Sequence, residues 1–236
     1  MPGKLSRVAA KLDPRLAEEV RGERVVFRRL AARGYLQGLT GKRILEIGPK
    51  HGQDSVLLAG LDPAELVLVD LPEKAALVES WLPGIECPTR FVEGNLLFLP
   101  PDELASLGEF DLVWCLGVLY HNAEQLRLIR RLRTLCRDGG RLVLESHVLA
   151  GRPIRDANVV RIHWPKPWGG ISTITHIPSR RAIASWMEMA GFADVEAPPI
   201  LRARKRAVLT GVATDRPYLS YADSGINPEY PAGEAT

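Results

Sequence analysis

Residues Arg43–Ser55 read RILEIGPKHGQDS. The short apolar run Ile44-Leu45-Glu46-Ile47 reads as a buried strand. Gly48-Pro49 breaks it, and an apolar helix restarts from about Asp54. A strand, a tight glycine turn and a helix start thus succeed one another directly. Such a turn lets a ligand approach backbone N–H groups at a helix N-terminus. Turns of this kind occur in many α/β proteins, so the turn by itself does not name its ligand.

The next strand narrows the choice. Glu65–Asp70, ELVLVD, is apolar and ends in a carboxylate. Asp70 stands about 20 residues beyond the glycine turn, where an acidic side chain accepts hydrogen bonds from ribose hydroxyls. Turn and acid together point to an adenosine-type cofactor at the C-terminal edge of a parallel sheet.

Further along, Arg90–Glu93 (RFVE) reads as a third strand, closed by Gly94-Asn95. Phe110–Leu116 (FDLVWCL) is continuously apolar, as a strand buried on both faces must be. A helix over Glu124–Cys136 places Leu126, Ile129, Leu132 and Leu135 at helical spacing among arginines. Asp138-Gly139-Gly140 stops it, and Arg141–Ser146 (RLVLES) is the next strand. Ser179 is the expected N-cap of a helix over Arg180–Ala190, with Gly191 as its stop. Asp194–Ala197 and Lys205–Ala213 read as a closing antiparallel pair.

The stretch Glu46-Ile47-Gly48-Pro49-Lys50-His51-Gly52 resembles the first motif of the class I S-adenosylmethionine-dependent methyltransferases, an acidic residue followed by Gly-x-Gly-x-Gly. The first and third glycines match and the middle one is Lys50. The resemblance implies a Rossmann-like α/β domain: seven strands, mostly parallel, an antiparallel last strand, and helices on both faces. It implies S-adenosyl-L-methionine as cofactor, with Glu46, Gly48, Lys50, Gly52, Asp70 and Asn95 around it and Leu116 and Gly117 at its methionine end. Asn95 faces the adenine amino group in that reading, and is a plain turn residue in the other. The expected layout is an N-terminal helical extension over 1–40, the methyltransferase domain over 41–214 with a lid-like insertion at 147–178, and an extended tail over 215–236.

Composition narrows the setting. The 236 residues are 46% hydrophobic, with a net charge of +3, which permits an anionic substrate without demanding one. Cys87, Cys115 and Cys136 have no paired spacing, so neither a zinc site nor a disulfide framework is expected. No apolar run has the length of a membrane span and no signal-peptide core stands at the start; a cytoplasmic protein is expected. No carboxylate triad is evident, so a metal-independent reaction is expected.

Tyr120 and His121 come just after the Phe110–Leu116 strand and are the candidate catalytic pair, His121 as a general base with an ordinary pKa near 6.5. Trp164, Trp168 and Arg206 are the candidate acceptor-side residues, the tryptophans as an aromatic wall around a small planar molecule. A narrower resemblance runs through Gly117-Val118-Leu119-Tyr120-His121, Gly140–Glu145, Ile177-Pro178-Ser179 and Lys205–Leu209. These stretches are similar to the tRNA wobble-uridine carboxymethyltransferases, which use carboxy-S-adenosylmethionine. There, a tyrosine and an arginine matching Tyr120 and Arg206 hold the cofactor's extra carboxylate. Methyl transfer to a small-molecule acceptor is the leading expectation. A tRNA-directed carboxymethyl transfer is the alternative, and a cofactor-binding partner without turnover, favoured by Lys50, is the third. A dehydrogenase does not fit the glycine spacing.

Overall fold

The computed structural model describes residues 25–151, 153–201 and 205–214. The first part of the expected N-terminal extension, 1–24, and the whole expected tail, 215–236, lie outside the described residues. Seven strands form one mixed sheet in the order β3 (Thr89–Glu93), β2 (Glu65–Asp70), β1 (Arg43–Ile47), β4 (Phe110–Leu116), β5 (Cys136–His147), β9 (Arg206–Ala213) and β8 (Phe192–Glu196), the architecture the methyltransferase resemblance implies. By packing, the described residues fall into two compact units, one within Met1–Leu107 and Pro199–Arg202, the other within Gly108–Pro198 and Ala203–Thr236.

Among the described residues, the first unit begins with α1, residues 25–32. Its Val26, Phe27 and Leu30 are buried, and Arg29 Nη1 donates to the carbonyl of Ile200. After it come β1 (Arg43–Ile47), α2 (Gln53–Ala59), β2 (Glu65–Asp70), α3 (Ala75–Trp81), β3 (Thr89–Glu93) and α4 (Pro101–Ser106). β1 pairs in parallel with β2, and β2 with β3. Parallel strands have both faces covered, which is why Ile44–Ile47 and Leu66–Val69 are runs of buried residues. After β2 comes a 3-10 turn over Pro72–Lys74, where Pro72 fixes the first position and lacks an N–H. α3 proper covers Ala75–Trp81.

The second unit contains β4 (Phe110–Leu116), α5 (Gln125–Thr134), β5 (Cys136–His147), β6 (Val160–Ile162), β7 (His176–Pro178), α6 (Arg180–Met189), β8 (Phe192–Glu196) and β9 (Arg206–Ala213). β4 pairs in parallel with β5, and β9 runs antiparallel to both β5 and β8. Asp138-Gly139-Gly140, read from the sequence as a separator between helix and strand, lies inside β5 as an irregularity. Phe110 pairs with Cys136 but Leu112 pairs with Arg141. Gly139 has φ 77°, and a Cβ on Gly140 would stand 2.8 Å from the carbonyls of Arg137 and Phe110. Only glycine closes that bulge.

The 147–178 segment is partly ordered by a separate hairpin, in which β6 and β7 pair antiparallel. Ile174 and Ile177 bury themselves against Tyr120, with Leu149 and Trp168 alongside. Cys115 and Cys136 are buried, and burial pushes both thiols up to about 12, so they are inert core residues. Among the described residues, no helix is long and apolar enough to cross a membrane.

Candidate functional site

The glycine turn of the first unit is built around Asp70. Its Oδ2 accepts the Lys50 backbone N–H at 3.0 Å, and its Oδ1 accepts the Leu71 N–H at 2.8 Å. The last carboxylate of β2 therefore points into the bend after β1. A carboxylate offers about four lone-pair sites, so two acceptor positions are left for donors of a ligand. Gly48, at φ 73°, receives its own tie, its N–H donating to the Val69 carbonyl at 2.9 Å. Gln53, 6% exposed, has a side-chain Nε2 with no hydrogen-bond partner. A buried amide donor in this turn fits a ligand that brings an acceptor.

Glu46 is 3% exposed and takes the Ser55 hydroxyl on Oε2 at 2.6 Å, which ties β1 to α2. Lys50, exposed, adopts φ 46° where the motif has its middle glycine. Asn95 Oδ1 accepts the Leu97 N–H at 3.0 Å, an Asx turn, so the turn role read from Gly94-Asn95 is present in the structure.

Gly52 has φ 71°, and a Cβ there would lie 2.4 Å from the Trp81 ring. The indole Nε1 of Trp81 donates to the Lys50 carbonyl at 3.0 Å. Trp81 was not a candidate from sequence. It stands at the end of α3, far from the motif in the chain, and only its position against Gly52 reveals it.

The second unit gathers a different cluster. Gly117, at φ 75°, ends β4 and donates its N–H to the Glu145 carbonyl at 3.2 Å. A Cβ on Gly117 would meet the Tyr120 hydroxyl at 3.7 Å and Arg206 Nη2 at 3.9 Å. Gly117, Tyr120 and Arg206 are thus brought together at one strand end, next to Leu116 in the chain, and the Arg206 guanidinium carbon lies 5.8 Å from the Tyr120 ring centre. Arg206 donates from Nε to Glu145 Oε1 and from Nη2 to Oε2, the latter at 2.6 Å. Glu145 is 3% exposed and was not among the sequence candidates as a partner for Arg206. Register across β5 and β9 explains the pair: Glu145 is opposite Val208, and Arg206 reaches back from the end of β9, opposite His147.

His147 closes β5 and is the third residue, after Trp81 and Glu145, that sequence reasoning missed. Its ring stands edge-on to Tyr120 at 4.5 Å and 4.6 Å from Trp168. Nδ1 is buried with no hydrogen-bond partner. Burial, followed by the charge of Arg206, holds the imidazole below its ordinary value, so it is neutral near pH 7. The His121 ring also packs on Tyr120 at 4.4 Å, and its Nδ1 shares a 2.7 Å hydrogen bond with Thr173 Oγ1. Trp168 stands in this cluster; Trp164 is 80% exposed and belongs to the outer surface of the segment. An irregular loop has no periodicity from which the inward tryptophan could be chosen.

Known proteins resemble this chain in sequence and in fold. The sequence pattern of the family described as "Methyltransferase domain" matches residues 17–197. A tRNA U34 carboxymethyltransferase of Chromohalobacter salexigens is 29% identical over 72% of this chain and 51% of its own length. One of Enterobacter sp. is 30% identical over 68% of this chain and 48% of its own. The chain spans about half the length of the curated relatives it matches. Among solved structures, the N-terminal domain of EvdMO1 with SAH bound superposes with a TM-score of 0.59 at 23% identity, covering 78% of this chain and 79% of that one. Magnesium protoporphyrin IX methyltransferase from Synechocystis with bound SAM gives 0.55 at 20% identity, over 83% and 80% of the two chains. At these identities the structural likeness speaks for the fold. The chain belongs to the methyltransferase-domain family, whose sequence pattern covers most of its length.

Proposed function

We propose that this protein moves a methyl group from S-adenosyl-L-methionine to a small planar acceptor. The cofactor supplies an activated methyl group; the protein supplies position and a dry surround, and alignment alone is worth roughly 7–11 kcal/mol in favourable cases. In this reading, Asp70 grips the ribose, Gly48, Lys50 and Gly52 shape the turn, and Asn95 borders the base. Glu46 acts through Ser55 to hold the turn against α2. Leu116 and Gly117 take the methionine end, Tyr120 and Trp168 hold the acceptor's ring, and His121 takes its proton.

The observation that carries the choice of donor is the Arg206–Glu145 pair. A carboxylate of the chain itself already takes the Nε and Nη2 donors of Arg206. A carboxylated cofactor would have to share a guanidinium whose charge is compensated, which favours the ordinary cofactor. The ring cluster of Tyr120, His121, His147 and Trp168 supports a planar acceptor.

A second reading, carboxymethyl transfer to tRNA, is supported by the names of the relatives and by the approach of Tyr120 and Arg206 over Gly117. The two are separated by incubating the full chain with either cofactor, with a small-metabolite pool or with bulk tRNA, and weighing the products. A methyl increment on a small molecule is the expected result. A carboxymethyl increment on tRNA, with binding that falls steeply as salt rises, overturns it.

A further inference from the structure

The middle glycine of the first motif is Lys50, yet the turn keeps a left-handed residue there, at φ 46°. A side chain makes that conformation costly, since Cβ crowds the following carbonyl. Something in the fold has to hold it. Two contacts do so from opposite ends of the same residue. The Lys50 N–H donates to Asp70 Oδ2 at 3.0 Å, and its carbonyl accepts from Trp81 Nε1 at 3.0 Å. The Trp81 ring fills the space in front of Gly52, where even a methyl group would be 2.4 Å away.

We propose that Trp81 is a positioning residue for the cofactor turn: its indole N–H holds the Lys50 peptide left-handed and so keeps the Lys50 N–H on Asp70. Trp81 replaces by a hydrogen bond what the missing glycine would give by freedom of the backbone. The effect reaches the ligand through Asp70. With Lys50 held, Oδ2 is fixed by a backbone donor and the carboxylate presents its other lone pairs in one orientation. With Lys50 released, the peptide relaxes towards negative φ, the N–H turns away from Asp70, and the carboxylate loses its set direction. This rests on the reading of Asp70 as the ribose ligand.

The test is a double-mutant cycle on the full chain, read as the affinity for S-adenosylhomocysteine by calorimetry with thermal stability measured beside it. Trp81→Phe keeps an aromatic ring over Gly52 and removes the donor. Losing one directed hydrogen bond should weaken binding about five- to tenfold. In a Lys50→Gly background, where the left-handed turn needs no holding, the same substitution should change affinity less than about twofold. An equal loss in both backgrounds, or no loss in either, overturns the proposal, because a packing role alone does not depend on which residue stands at 50. Should Trp81→Phe fail to fold, the indole N–H resonance of Trp81 in the unaltered protein decides. It should shift on addition of S-adenosylhomocysteine, and a resonance that stays in place overturns the proposal. If the unaltered protein does not bind S-adenosylhomocysteine, the reading of Asp70 as ribose ligand falls and takes this one with it. Binding with an uncoupled cycle removes this one alone.

Discussion

Arg206 and Glu145 set the energetics of the second cluster. Glu145 is 3% exposed and its two oxygens lie on one guanidinium, while the Arg206 side chain is 37% exposed. Truncating the arginine strands a carboxylate away from water, a far larger loss than breaking an exposed pair. Arg206→Ala should destabilise the fold by about 3 kcal/mol, read as the shift in urea midpoint, and adding Glu145→Gln should recover part of it. Equal stability of Arg206→Ala and the unaltered protein would show that the pair does not form. The arginine itself was legible as a candidate from its resemblance to a carboxylate-binding residue. Its partner was not, because strand pairing between β5 and β9 joins residues 61 apart in the chain. Trp81 escaped for the same reason, its contact with Lys50 spanning 31 residues.

At the scale of elements, the local signals were accurate where they rested on chemistry within a few residues. Ser179 was legible as an N-cap, and its Oγ accepts the Ala182 N–H at 3.0 Å. It also donates to the Ala157 carbonyl, so one hydroxyl joins α6 to the segment that leads into β6. Because Ser179 is fully buried, Ser179→Ala leaves the Ala182 N–H unsatisfied, while the Ala157 carbonyl keeps the Val159 N–H. The substitution should cost about 2 kcal/mol, at the upper end for a cap, and hydrogen exchange should rise in the first turn of α6. Unchanged exchange there would mean that the cap contributes nothing. Strand ends were legible from apolar runs and glycines. The bulge at Asp138-Gly139-Gly140 was not, since a Gly-Gly pair reads equally as a stop and as a kink inside a strand. The 147–178 segment offered no period to read, and there the two tryptophans could not be told apart.

For the whole molecule, the seven-stranded order arises from strands and glycine turns that are each local, which is why the fold was legible well before the site. Acid should expose the cost of the half-buried imidazole. His147 holds fewer protons folded than unfolded, because burial and Arg206 lower its folded value beneath the ordinary 6.5. Stability is then full above about pH 6.5 and falls as pH drops through the interval beneath it, since the unfolded chain takes up the proton first. His147→Gln should flatten that part of the curve of unfolding free energy against pH. An unaltered slope beneath about pH 6.5 would place the titration elsewhere.

In the proposed reaction, cofactor binding rests on Asp70, whose carboxylate, held by the Lys50 and Leu71 amides, would take the sugar of an adenosyl group. Calorimetric titration of S-adenosyl-L-methionine into the full chain and into Asp70→Ala tests this directly. The expected result is saturable binding by the unaltered protein, weakened about tenfold or more in the variant, as loss of hydrogen bonds to a charged group requires. Equal affinity in the two proteins, or no binding by either, contradicts it.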